Sequence, residues 1–156
     1  TVGRCTSLPA MFFFNALVTL LLLFSKNPVA ERPLRITLTE YDDTKAVIRV
    51  GVFPPTGGFP KSNRGAKGYE VKPNGQKSVT LIIRDLDYGD YAIAVYQDVN
   101  NNGKLDTGGL LGMPQEPYCF SNNFRPMARM RGPRFSDCRF TYSATQTEVN
   151  LRMLND

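Results

Sequence analysis

Apolar and polar positions alternate with period two along most of residues 34–154, and that alternation predicts strands. "LRITLTE" sets Leu34, Ile36 and Leu38 on one face, with Arg35, Thr37 and Thr39 on the other. "AVIRVGVF" aligns Ile48, Val50 and Val52, and "KSVTLIIR" aligns Val79, Leu81 and Ile83. "YAIAVYQD" opposes Tyr91, Ile93 and Val95 to Ala92, Ala94 and Tyr96. "AKGYEVK" and "CRFTYS" read as short strands, and "TEVNLRML" aligns Val149, Leu151 and Met153. Turn signals separate these runs: "YDDTK", the Pro/Gly-rich "PPTGGFPKSNRG", "PNGQ" and "DLDYGD". No stretch after residue 30 keeps a helical period over three turns. About seven short strands of this kind predict an all-β fold, an antiparallel β-sandwich in which each sheet buries one face.

The N-terminal 30 residues follow a different pattern. "MFFFNALVTLLLLF" is nearly uninterrupted apolar sequence, followed by "SKNPVA" and the charged "ERP". This is the layout of a secretory signal peptide, with the cut expected after Ala30 and Met11 as a candidate start. The apolar run is shorter than the ~20 residues a spanning helix needs. The alternative is an uncleaved membrane anchor. The expected organisation is a leader over 1–30 and a single sandwich domain over 31–156, placed outside the cell, in the periplasm or at the cell surface.

Composition narrows the chemistry. Hydrophobic residues make up 42% and charged residues 21%, an ordinary globular balance. The chain has no His, which removes the commonest general base and the commonest transition-metal ligand. Beyond residue 30 there are 17 basic and 14 acidic residues. That mild excess does not predict nucleic-acid binding, which usually shows a basic stripe. One local cluster stands out: Arg125, Arg129, Arg131, Arg134 and Arg139. A solvated loop with dispersed arginines is the plain reading. The sharper one is a patch for an acidic surface, such as lipid headgroups or anionic polysaccharide.

Cys119 and Cys138 form an even pair in a segment rich in Pro, Gly and Arg, and a disulfide between them is expected. Such a bridge closes a loop of about 20 residues, for roughly 3 kcal/mol in the chain-entropy model. Two buried thiols are the alternative. Without His or a C-x-x-C pair, nothing resembles a zinc site.

The stretch "DVNNNGKLDTG" carries the densest site chemistry. Aligned on a calcium loop, Asp98 is first, Asn100 third, Asn102 fifth, Lys104 seventh through its carbonyl and Asp106 ninth. Gly103 occupies the sixth position, where the sharp turn needs positive φ, and Leu105 is placed to pin the loop to the core. The twelfth position is Gly109, not the bidentate Glu. Ca²⁺ would therefore be held weakly, at ~10⁻⁴–10⁻³ M, with the set completed by water, by a backbone carbonyl or by a distant acid such as Glu116 or Asp137. The competing expectation is a polar turn, because Asn, Asp and Gly are also turn formers.

The run "GDYAIAVYQDVNNNGKLDTGGLLGMPQEPYCFSNN", followed by "GPRFSDCRF" and preceded by "RVGVFPPTGGFP", resembles the secreted bacterial family catalogued as domain of unknown function 2141. The resemblance spans most of residues 34–153. It implies a secreted or periplasmic β-sandwich, similar in outline to transthyretin-like or bacterial surface modules, and it implies no reaction. Cys119 and Cys138 depart from the pattern, which has small residues there.

Two function classes remain. One is a non-catalytic interaction or structural module with a protein or polysaccharide partner, met through the loops at 54–68 and 107–136. It would touch membrane only through an uncleaved leader. The other is a carbohydrate-binding or carbohydrate-active protein using acids and tyrosines on those long loops. Asp85, Asp87 and Asp90 are clustered acids, but in "RDLDYGDY" they read as solvated turn residues; Tyr88, Tyr91, Tyr96 and Tyr118 could stack on a sugar ring, and more often such tyrosines pack on a sheet face. Self-assembly through an exposed edge strand is a third, weaker possibility.

Overall fold

The computed structural model describes residues 32–109 and 113–154; the expected leader and its cut lie outside them. Among the described residues the strands are β1 (Leu34–Thr39), β2 (Val47–Phe53), β3 (Lys67–Val71), β4 (Ser78–Ile83) and β5 (Gly89–Asp98), then β6 (Thr107–Gly108), β7 (Met113–Pro114), β8 (Tyr118–Phe120), β9 (Phe140–Tyr142) and β10 (Glu148–Arg152). The fold is all-β, built on two sheets. One has the order β10-β1-β4, and the other β3-β2-β5-β8, with β9 pairing the first part of β5. All pairings are antiparallel except β1 with β10. The β6–β7 pair stands apart as a two-stranded ribbon.

Register explains the core. Ile36 lies opposite both Leu81 and Val149, and Leu38 opposite both Val79 and Leu151. In the second sheet Val50, Val95 and Cys119 form one row across three strands. The alternating apolar positions of both sheets meet in one cluster that includes Leu34, Ile36, Leu38, Ile48, Val50, Val52, Ile93, Val95 and Leu151. That is a sandwich core.

The outer face of the second sheet is also covered, by a smaller cluster of Ala92, Phe124 and Cys138 with Phe59, Phe120 and Phe135. Small residues on that face make room for the rings. A Cβ on Gly51 would come within 2.8 Å of the Phe53 ring, and Phe53 packs edge-on against Phe59 at 5.3 Å. Phe59 in turn meets Phe120 and Phe135, so the 54–66 loop is pinned across the sheet.

Two expectations fail on this geometry. Cys119 and Cys138 are free thiols, not a disulfide. Cys119 sits in the inter-sheet core, with its Sγ 3.4 Å from Met153 Sδ, whereas Cys138 belongs to the cluster on the opposite face of the sheet. Bridged cysteines must point toward each other, and the sheet lies between these two clusters. Leu105 does not pin its loop: it is 37% exposed.

Short three-residue strand β8 and two four-residue helices, Pro126–Arg129 and Phe135–Cys138, complete the architecture. No helix among the described residues is long and apolar enough to cross a membrane.

Candidate functional site

The loop after β5 is organised around Asp98, whose side chain is fully buried. Its Oδ2 accepts from Arg49 Nε at 2.7 Å and from the Gly103 N–H at 2.9 Å, and its Oδ1 accepts from the Asn102 N–H at 2.9 Å. Gly103 has φ 77°, as the sharp turn requires. Burial alone would raise the Asp98 carboxyl. The Arg49 guanidinium and the two backbone donors outweigh it and hold the group below the usual carboxylate range. Arg49 reaches across from β2 and also pairs with Glu70 on β3, so one guanidinium ties three strands together.

The other loop residues converge on Asp106. Asn100 Nδ2 donates to it at 2.6 Å and Asn102 Nδ2 at 3.0 Å. Asn100 Oδ1 accepts from the Asn102 N–H, and Asn102 Oδ1 from the Lys104 N–H. Glu116 is nearly buried and staples the loop's two ends, accepting from the Val99 N–H at 2.8 Å and the Asp106 N–H at 3.1 Å. The sequence places Asp98, Asn100, Asn102, Lys104 and Asp106 in one loop, and Glu116 does come to it. Asp137 does not; it lies with Arg131. Among the described residues no group of three or more His, Cys, Asp or Glu side chains gathers as a metal-holding cluster.

The acids of "RDLDYGDY" are dispersed. Asp85 accepts from Tyr69 Oη at 3.0 Å and pairs with Lys67, and the Tyr69 hydroxyl foremost holds its carboxyl low. Asp90 accepts from Thr141 Oγ1 at 2.7 Å and faces Arg139 at 3.5 Å. The tyrosines do not form a common platform. Tyr118 is buried, Tyr88 packs on Tyr142 at 4.9 Å, and Tyr91 Oη donates to the Asp87 carbonyl.

The arginine segment divides in two. Arg131 is fixed: it makes two bonds to the Asp137 carboxylate, at 2.7 and 2.9 Å, and stacks over Phe124 at 5.3 Å. That pairing, with the Arg134 N–H, drives the Asp137 carboxyl far down. Arg139 is tied to Asp90. Arg125, Arg129 and Arg134 are exposed and form no salt bridge among the described residues. Arg125 lines a shallow groove of about 170 Å³ with Pro126, Met127, Ala128 and Leu154.

Two side chains anchor this segment to the sheet. Ser121 is fully buried where β8 ends; its Oγ accepts from the Ile93 N–H at 2.8 Å and donates to the Cys138 carbonyl. Asn122 Nδ2 donates to the carbonyls of Asp137 and Arg139. Together they explain why "FSNN" forms a unit. The family model described as an uncharacterized protein conserved in bacteria, DUF2141, matches residues 36–150. The chain belongs to the DUF2141 family. The DUF2141 match takes in all ten strands except the edges of β1 and β10, and both loops just described. No curated protein and no solved structure matches the chain. Sequence reasoning passed over Arg49, Glu70, Ser121 and Asn122; for the last two the signal was the "FSNN" motif itself.

Proposed function

We propose that this DUF2141 domain is a non-catalytic, exported interaction module, in which the acids serve as loop staples and not as reagents. The observation that supports this most is how three of its carboxyls are engaged. Asp85, Asp98 and Asp137 are each engaged by a cation or by N–H and O–H donors, and each is held below its ordinary range. Glycoside hydrolysis by a carboxyl pair needs one member raised, so that it is still protonated near neutral pH. At Asp85, Asp98 and Asp137 the partners favour the charged form instead. Hydrogen-bonded loops carried on a sandwich suit presentation of a binding surface.

Within this reading, the 98–106 loop is a weak calcium site. Asp106 is its accessible carboxylate, already ringed by the Asn100 and Asn102 amides, whose carbonyl oxygens are ligands once turned. Arg49 already neutralises Asp98, which keeps affinity in the ~10⁻⁴–10⁻³ M range of extracellular modules.

The test is incubation of the full chain with a panel of neutral and acidic polysaccharides, read by release of reducing ends. The expected result is no turnover. Turnover that scales with protein and disappears in Asp85→Asn or Asp90→Asn would overturn the proposal in favour of a carbohydrate-active protein.

A further inference from the structure

The segment 125–134 combines exposed positive charge with exposed apolar side chains. Met127 is 57% exposed and Met130 is 93% exposed. Arg125, Arg129 and Arg134 lie between and beside them, exposed and without a salt bridge among the described residues, Arg134 standing close enough to Asp137 to help hold its carboxyl low. Charge alone would serve any polyanion. A soluble polyanion, however, gives two methionine side chains nothing to bury into, and a bilayer does.

The backbone here is a defined turn. Met130 ends the helix Pro126–Arg129 in the left-handed conformation, φ 51° and ψ 32°, a position that favours Gly or Asn. The sequence places a large apolar residue there, where it is the most exposed of the large hydrophobic residues described. The N–H of Met130 bonds back to the Met127 carbonyl at 3.1 Å, which sets the two methionines on one turn. The base is held firmly. Arg131 is clamped between Asp137 and Phe124, and the Asp137 carboxylate takes the Arg134 N–H at 2.9 Å. Pro126 opens the helix and Pro133 follows it, limiting the backbone freedom that docking would have to freeze.

We infer that residues 125–134 form a docking loop for an anionic phospholipid bilayer: Met127 and Met130 enter the interface while Arg125, Arg129 and Arg134 contact headgroup phosphates. This deepens the interaction-module reading by naming the partner's chemistry, and it does not depend on the calcium loop. Removing one headgroup-contacting arginine is expected to weaken partitioning by about fivefold.

The chain contains no Trp, so Met130→Trp in the full chain gives a reporter confined to this loop. It is mixed with vesicles of phosphatidylglycerol and phosphatidylcholine, then with phosphatidylcholine alone, with brominated acyl chains as depth-sensitive quenchers. The expected result is a blue shift and quenching with the anionic vesicles only, reversed at 0.5 M salt. Adding Arg125→Gln, Arg129→Gln and Arg134→Gln should abolish both signals. Emission that stays water-like with anionic vesicles overturns the proposal. So does equal quenching by phosphatidylcholine alone, or a response to heparin with none to vesicles. If turnover on polysaccharides appears while the loop still enters vesicles, the non-catalytic reading fails and this one stands.

Discussion

Ser121→Ala isolates the strut that joins the sheet to the arginine segment. Ser121 is 0% exposed, and its hydroxyl is the acceptor for the Ile93 N–H at 2.8 Å. Ile93 is itself 0% exposed, so water cannot replace the lost partner without opening the sheet. An orphaned buried donor costs ~1–3 kcal/mol. The Cys138 carbonyl also loses its donor, a smaller penalty because a carbonyl tolerates under-satisfaction better than an N–H. The expected loss is therefore about 2–3 kcal/mol. For a domain of this size that is roughly 3–5 °C in Tm per kcal/mol. Urea unfolding followed by circular dichroism measures it, with an unchanged m-value expected because the same surface is exposed. Native-state hydrogen exchange should show faster exchange at the Ile93 amide. Ser143→Ala is the control. Its hydroxyl caps a surface turn, accepting from the Gln146 N–H at 3.2 Å, and its loss should stay within ~0.5 kcal/mol. If Ser121→Ala also stays within ~0.5 kcal/mol, the strut is not what holds β5 to the 121–138 segment.

Other outcomes follow from the same geometry. Cys119 and Cys138 have thiols pushed up to about 12 by burial, so both should resist a thiol reagent at pH 8 until the protein is unfolded; reducing agent should leave Tm unchanged, and a drop on reduction would restore the disulfide. Because Asp98 and Asp137 have depressed folded values, they bind protons more weakly folded than unfolded. Their contribution is complete above the unfolded carboxyl value of ~3.9 and is lost as pH falls through the lower folded values, so stability should be flat from pH 7 to 5 and fall below about 4, with a shallower fall in Asp98→Asn. Met130→Gly should raise stability by up to ~1 kcal/mol in urea unfolding, since it relieves a left-handed non-glycine residue; destabilisation would mean that the methionine packs on its own fold. Ten millimolar calcium, against a ~10⁻³ M site, should add about 1.4 kcal/mol to unfolding relative to EDTA. Asp106→Ala should erase that gain, and equal midpoints in calcium and EDTA would reduce 98–106 to a polar turn.

The strands were legible because one-sided burial writes itself as alternation. Ile36, Leu38, Ile48, Val50, Ile93 and Leu151 all face the core as their spacing requires. Strand β8 was not legible: Tyr118, Cys119 and Phe120 show no alternation of apolar and polar residues, whereas Phe140, Thr141 and Tyr142 of the equally short β9 do. Nor was the parallel pairing of β1 with β10, since alternation fixes a face and not a neighbour. The cysteines failed for a related reason. An even pair flanking one Pro-, Gly- and Arg-rich segment suggested a bridge, but Val95 opposite Cys119 turns that thiol into the core, while the helix Phe135–Cys138 lays Cys138 on the other face. In the loop, the spacing picked out Asp98, Asn100, Asn102 and Asp106, which hydrogen bonds join in the fold. It could not reveal Arg49, which arrives from a strand 49 positions away and supplies the positive charge beside Asp98.

The most direct test of the staple reading is a carbon-detected NMR titration of the Asp and Glu carboxyls between pH 2 and 8. Asp85, Asp98 and Asp137 should all titrate below the usual ~3.9. A midpoint at about 6 for any of them would mark a carboxyl kept protonated for proton transfer, and would contradict a module whose acids only hold its loops.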